Sequence, residues 1–176
     1  MGNTLKKGKL LCDQYIRKII ICPNNKILIR NLLFYYRIYS FMVCSSLKKL
    51  GILMYLRTKS RYGVDISPWA QLGKGCRLMH AVNIVIGPNA SVGDYCKIFN
   101  SVTLGNARPD LITLETPREM PRIGKYCVLG AGAKFLGDVI IGDKILIGAS
   151  VVIRTSVHSG NSEFHSLIKN KKITQV

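Results

Sequence analysis

The chain has 176 residues, 48% of them apolar, enough for one domain with its own core; 16 Gly and 6 Pro are too few for a collagen-like or globally disordered chain. Its six cysteines (12, 22, 44, 76, 96 and 127) show no C-x-x-C spacing, which leaves zinc fingers and dithiol redox motifs without support. The net charge of +17 is concentrated: residues 1–62 carry 13 Lys/Arg against the single acid Asp13, so the basic excess belongs to the N-terminal third.

Residues 1–62 read as a basic α-helical region, with Pro23-Asn24-Asn25 as the break between a first helix and a second. In the second, Ile27, Leu28, Leu32, Tyr35, Tyr36 and Tyr39 give one apolar face, interrupted by Arg30 and Arg37. Leu47 to Leu56 continues the helical character up to Gly63. The apolar run from Ile38 to Leu47 is closed by Arg37 and Lys48, well short of the roughly 18 residues a membrane span needs. Met1 to Lys9 leads into no signal-peptide core, so the expectation is a cytoplasmic protein with reduced thiols. Two readings of the basic third stay open: solvated helix faces around an oligomer, or contact with an anionic inner-membrane surface. Nucleic acid is not an expected partner, because no recognition module is present.

From Ile66 onward an aliphatic residue recurs every six positions, with a small or aliphatic one four places later. The units begin at Ile66, Leu72 and Leu78, resume after two extra residues at Ile86, Val92, Ile98 and Leu104, and pause over Asn106–Arg122. They return at Ile123, Leu129, Phe135, Ile141 and Ile147. A period of six fits neither a helix nor simple alternation; it fits a short strand plus a turn, three to a triangular coil, with coils stacked in parallel. Glycine after the aliphatic residue serves the tight turns. Cys76, Cys96 and Cys127 fall on the small inward position beside Ala70, Ala90 and Ala133, which makes them core residues. The resulting division is a helical region over 1–62, a mainly β parallel-helix domain over 63–157 with an excursion loop at 106–122, and a C-terminal tail over 158–176.

Several stretches carry a family likeness: Val64-Asp65-Ile66-Ser67-Pro68, Gly75 through His80 to Gly87, Ser101 to Gly105, and Ile123-Gly124 followed by Leu129 to Gly137. In this order, and with the two-residue insertion after His80, residues 61–153 resemble the hexapeptide-repeat acyltransferases, which fold as left-handed parallel β-helices. The likeness is to the serine acetyltransferase branch and its relatives that O-acetylate capsular or O-antigen polysaccharide. It implies His80 as the general base and Asp65, 15 residues earlier, as the carboxylate that orients it. Imidazole is the side chain whose ordinary titration straddles neutral pH, which suits removal of a hydroxyl proton. The resemblance further implies acetyl-CoA as co-substrate, held by backbone amides at Gly105, Asn106, Ala131 and Ala149, and a homotrimer whose neighbouring copies complete each site. With only three histidines (80, 158 and 165), no metal site is expected.

The departures concern the acceptor. Serine enzymes carry Arg-His before the loop's closing Pro-Lys-Ile and an acid before the catalytic His; here Glu119-Met120-Pro121-Arg122-Ile123 closes the loop and Met79 precedes His80. A carboxylate at Glu119 would repel an amino-acid carboxylate, so the expectation is transfer to a sugar hydroxyl in polysaccharide biosynthesis, with Met79, Glu119, Met120 and Arg122 lining the acceptor side. The alternatives are a serine O-acetyltransferase of cysteine biosynthesis and a non-catalytic β-helix scaffold.

Overall fold

Six residues are too few for a hairpin and about right for one side of a triangle, and the chain uses them that way. The structure, a computed structural model, describes residues 27–107, 120–158 and 165–167; the expected first helix, the break at Pro23 and Glu119 with most of the excursion loop lie outside those residues. Helices α1 (Ile27–Val43) and α2 (Lys48–Tyr62) come first. Strands β1 (Asp65–Ile66), β2 (Gln71–Leu72) and β3 (Arg77–Leu78) form the first coil, and β4 (Val85–Ile86), β5 (Ser91–Val92) and β6 (Lys97–Ile98) the second. The third holds β7 (Thr103–Gly105), β8 (Arg122–Ile123) and β9 (Val128–Leu129), and the fourth β10 (Lys134–Leu136), β11 (Ile140–Ile141) and β12 (Ile145–Ile147). A partial fifth coil adds β13 (Val152–Ile153) and β14 (His165–Leu167). This last strand lies within the stretch expected to form a tail, and it pairs in parallel with β12.

Stacking the coils produces three parallel sheets, β1-β4-β7-β10-β13, β2-β5-β8-β11 and β3-β6-β9-β12-β14. Register explains the irregularities of the repeat. Val85 pairs with Thr103, one 18-residue coil later, whereas Asp65 pairs with Val85, 20 residues later, because the insertion after His80 is taken up in the first turn of the prism. Ser91 pairs with Arg122, 31 residues later, so the excursion loop is accommodated without disturbing the ladder on either side. The inward ladders are Ile66-Ile86-Leu104-Phe135-Ile153, Leu72-Val92-Ile123-Ile141 and Leu78-Ile98-Leu129-Ile147, all buried. Cys76, Cys96 and Cys127 are buried beside them, each thiol donating at 3.1 Å to a carbonyl one coil on, at Gly93, Gly124 and Gly142.

The glycines work differently from the sequence expectation. Gly73, Gly93 and Gly124 do not adopt left-handed backbone; Asn89, Tyr95, Ser101, Tyr126, Lys144 and Ser150 do so instead. The glycines are required by close approach between coils, since a Cβ at Gly73 would stand 2.5 Å from the Gly93 carbonyl carbon and one at Gly93 would stand 2.5 Å from Gly124 O.

A stacked solenoid leaves the backbone groups of its first coil without partners, and an open edge invites pairing with another chain. Here α1 covers that edge. Tyr36 and Tyr39 hydroxyls donate to Ala70 O and Ile66 O at 2.7 Å, Ser40 Oγ to Pro68 O at 2.6 Å, and the Arg37 guanidinium to Leu72 O and Gly73 O at 2.7 and 2.8 Å. Arg37, expected as an interruption of the apolar face, is therefore buried within it, because its donors are what the coil carbonyls need. Burial pushes the Tyr39 phenol well above its ordinary range. Helix α2 packs on α1 where Gly51 lets Met42 and Val43 come close, and it ends at Gly63, whose left-handed φ of +62° and N–H bond to Lys59 O close the last turn before β1.

Candidate active site

The single break in coil regularity before the excursion loop is the turn that carries His80. Met79 N–H still donates to Ile98 O at 2.7 Å, so the coil holds up to that residue. His80 then enters the left-handed region at φ +54°, Val82 N–H folds back to His80 O at 2.7 Å, and Asn83 at φ +55° returns the chain through a 2.9 Å bond to Gly63 O. Left-handed backbone is shared by other corner residues, so strain alone does not single out His80. Chemistry and place do: it is the one histidine among these left-handed corner residues, it sits at the insertion, and its exposed side chain makes no hydrogen bond or ion pair among the described residues.

Register places His80 at the foot of a column. Since Leu78, Ile98, Leu129 and Ile147 are ladder partners, the residues two places on, His80, Asn100, Ala131 and Ala149, share one corner of the prism. From His80 to Ala149 is three coil steps, about 14 Å at the spacing of neighbouring strands. At this corner Ala133 N–H donates to Gly130 O at 3.1 Å and Gly132 has φ +71°, a type II turn with Ala131 at its first central position. The Ala131 and Ala149 N–H groups form no backbone hydrogen bond among the described residues. The corner thus offers outward donors in line above an exposed imidazole. Asn100 was not singled out from sequence, and the coil register is what locates it.

Gly105 and Asn106 lie elsewhere, at the next corner, where β7 ends and the excursion loop leaves. Two of the four expected amide positions therefore share the His80 corner and two do not. Met79 is half-buried beside His80. Met120 is buried with its terminal methyl packed on Gly87, and Arg122 on β8 pairs with Asp138 at 2.8 Å. Neither is brought to the His80 corner of the same chain, and Glu119 lies outside the described residues.

Asp65 opens β1 beneath Val85, close to the end of the His80 turn, but it makes no hydrogen bond to His80. Its oxygens accept instead from α2: the Tyr55 hydroxyl at 2.5 Å and the Lys59 ammonium at 2.6 Å. Burial and this bond push the Tyr55 phenol above its ordinary range. An ionised carboxylate has about four acceptor positions, so two remain for another donor. Tyr55 and Lys59 were missed at the sequence level; their i, i+4 spacing just ahead of Asp65 is the signal that places both on one side of α2. Among the described residues no group of three or more His, Cys, Asp or Glu could hold a metal ion, and no helix is long and apolar enough to cross a membrane.

Residues 120–155 match the family described as bacterial transferase hexapeptide (six repeats). A serine acetyltransferase of Synechococcus elongatus is 41% identical over 97 residues, covering 55% of this chain and 38% of the relative. Among solved structures, the serine acetyltransferase of Neisseria gonorrhoeae in complex with serine superposes with a TM-score of 0.69 at 30% identity, covering 81% of this chain and 54% of that one. The chain carries the hexapeptide repeats of that transferase family over residues 120–155. A serine acetyltransferase in complex with CoA superposes with a TM-score of 0.64 at 28% identity, over 73% of this chain and 50% of that one. The fold is the left-handed parallel β-helix expected from the repeat and its likeness.

These matches correct the expected acceptor. This hexapeptide-repeat chain aligns with serine acetyltransferases, and the expectation of a sugar hydroxyl in polysaccharide biosynthesis is overturned by them. The physical reason lies in the loop end. Met120 is turned inward as a packing residue and the Arg122 guanidinium is paired with Asp138, so the residue types at this junction report on coil packing as much as on an acceptor. The chain spans only 38% to 62% of the length of the first four curated relatives it matches.

Proposed function

We propose that this chain is a serine O-acetyltransferase that uses acetyl-CoA, with His80 as general base. The observation that carries the reading is the exposed imidazole at the foot of the corner column, in a β-helix whose similar proteins are serine acetyltransferases. A ring nitrogen of His80 takes the serine hydroxyl proton as that oxygen bonds to the thioester carbonyl carbon. The tetrahedral intermediate collapses with cleavage of the C–S bond, and the imidazolium returns its proton to the CoA sulfur. Asp65, steadied by Tyr55 and Lys59, orients the imidazole from below the turn once the site closes on its substrates.

Acetyl-CoA lies along the His80 corner, with its amide-bearing arm accepting from the N–H groups of Ala131 and Ala149. In a homotrimer the neighbouring copy supplies the other wall through its Gly105-Asn106 corner and excursion loop, with Met79 and Arg122 at the margins of the acceptor pocket. The helical region 1–62, the β-helix 63–157 and the segment beyond it then divide the work into edge cover, catalysis and extension of the third sheet. Incubation of the full chain with acetyl-CoA and L-serine is expected to yield O-acetylserine by mass spectrometry; its absence under conditions where the chain binds CoA would overturn the proposal.

The donor side has its own test. Ala131 occupies the turn position that Pro favours, and Pro68 and Pro88 follow strand ends in the same way at another corner of this chain. Ala131→Pro therefore deletes an N–H while keeping the turn. One hydrogen bond is worth about 0.5–1.5 kcal/mol, so KM for acetyl-CoA should rise about 2- to 10-fold with kcat and melting temperature little changed. An unaltered KM would place the donor elsewhere.

A further inference from the structure

Helix α2 turns Gly51 and Thr58 inward against α1, and its opposite side is unusual for a surface helix. Leu50, Leu53 and Leu56 each stand 52% exposed along it. Lys48, Lys49, Arg57 and Arg61 lie among or beside these leucines, and none of the four has an acidic partner among the described residues. The sequence contains no Asp or Glu at all from Gln14 to Val64, so the face carries one sign of charge. Beside the leucines, Arg57 and Arg61 open with Tyr35 and Tyr62 onto a cleft of about 500 Å³ between the two helices. A single exposed leucine is ordinary, but a row of three in a purely cationic setting combines the two attractions of an interfacial helix: apolar insertion and pairing with anionic headgroups.

We infer that the outer face of α2 docks this chain on an anionic phospholipid bilayer, with Leu50, Leu53 and Leu56 entering the headgroup–acyl boundary and Arg57 and Arg61 taking lipid phosphates. The charge of the face decides the occupant. A second copy in a two-fold contact would bring its own identical cationic helix, where like charges repel, and in a head-to-tail contact it would have to answer this face from a chain of 26 Lys/Arg and only 9 Asp/Glu. A bilayer containing anionic lipid brings the complementary charge and an apolar layer at the depth the leucines reach.

The test uses the 176-residue chain and sedimentation with vesicles of phosphatidylcholine alone or with about 30 mol% phosphatidylserine, whose headgroups supply a negative surface potential. The wild type is expected to bind the anionic vesicles at least tenfold more tightly, with binding weakened by high salt. Leu50→Ser/Leu53→Ser/Leu56→Ser and, separately, Arg57→Glu/Arg61→Glu should each weaken that binding at least tenfold while melting like the wild type. The charge pair keeps the test open if the leucine variant folds poorly. Excess inorganic phosphate and glycerophosphoserine should fail to displace the protein, which separates a bilayer from a soluble phosphate ligand. Wild-type binding by both variants would overturn the proposal, because basic residues elsewhere would then suffice. Equal binding to neutral vesicles, or loss of oligomer mass in the leucine variant, would overturn it as well, the latter by assigning the face to another copy of the chain.

Discussion

His80→Asn is expected to lower kcat for serine acetylation by about 10²–10⁴-fold, the usual contribution of a positioned general base. Asparagine is the informative replacement because His80 holds φ +54°, a conformation that Asn adopts more readily than Ala. The imidazole is exposed and bonded to nothing among the described residues, so its loss leaves no buried group unpaired and the melting temperature should stay within about 2 °C. His80→Ala should show the same kinetic loss with a melting temperature lower by a further few degrees, about 1 kcal/mol of left-handed strain. CoA affinity should be unchanged in both, since the amides of Ala131 and Ala149 are untouched. Asp65→Asn should slow transfer less than either, because it removes an orienting carboxylate and keeps the base. Wild-type turnover by His80→Asn would remove His80 from the reaction.

The second large effect concerns stability. Arg37→Met is expected to cost about 2–4 kcal/mol and lower the melting temperature by about 4–16 °C. Methionine replaces the aliphatic stem, so little volume is lost, but the carbonyls of Leu72 and Gly73 lose their donors in a buried setting. Relief of the guanidinium's own desolvation offsets part of this, since it has no carboxylate partner among the described residues. Tyr36→Phe and Tyr39→Phe remove one donor each and should cost about 1 kcal/mol apiece. A melting temperature equal to or above that of the wild type in Arg37→Met would mean that α1 does not hold the first coil.

The β-helix was legible because its rule is local. Each unit states which residue points inward, and Leu78 through Ile147 obey the period closely enough that insertions stand out as departures. The cap was not legible, because it depends on which carbonyls a missing coil leaves bare. Tyr36, Arg37, Tyr39 and Ser40 read as an imperfect apolar face until the first coil's edge is known to need four donor side chains. His80 was visible for a related reason, as a titratable residue beside the one interruption of an otherwise regular coil. The contacts of Asp65 were hidden in tertiary packing, since nothing in a 15-residue separation from His80 shows that Tyr55 and Lys59 reach it first. The acceptor was misread because the residue types at Glu119 and Met120 were weighed without knowing that Met120 packs on Gly87.

Acetyl transfer to serine is most directly measured as stoichiometry. With L-serine as the sole acceptor, the full chain is expected to release free CoA thiol in a saturable, serine-dependent manner, one O-acetylserine appearing for each thiol. Thiol release that stays at the serine-free rate across the whole serine range would contradict the account.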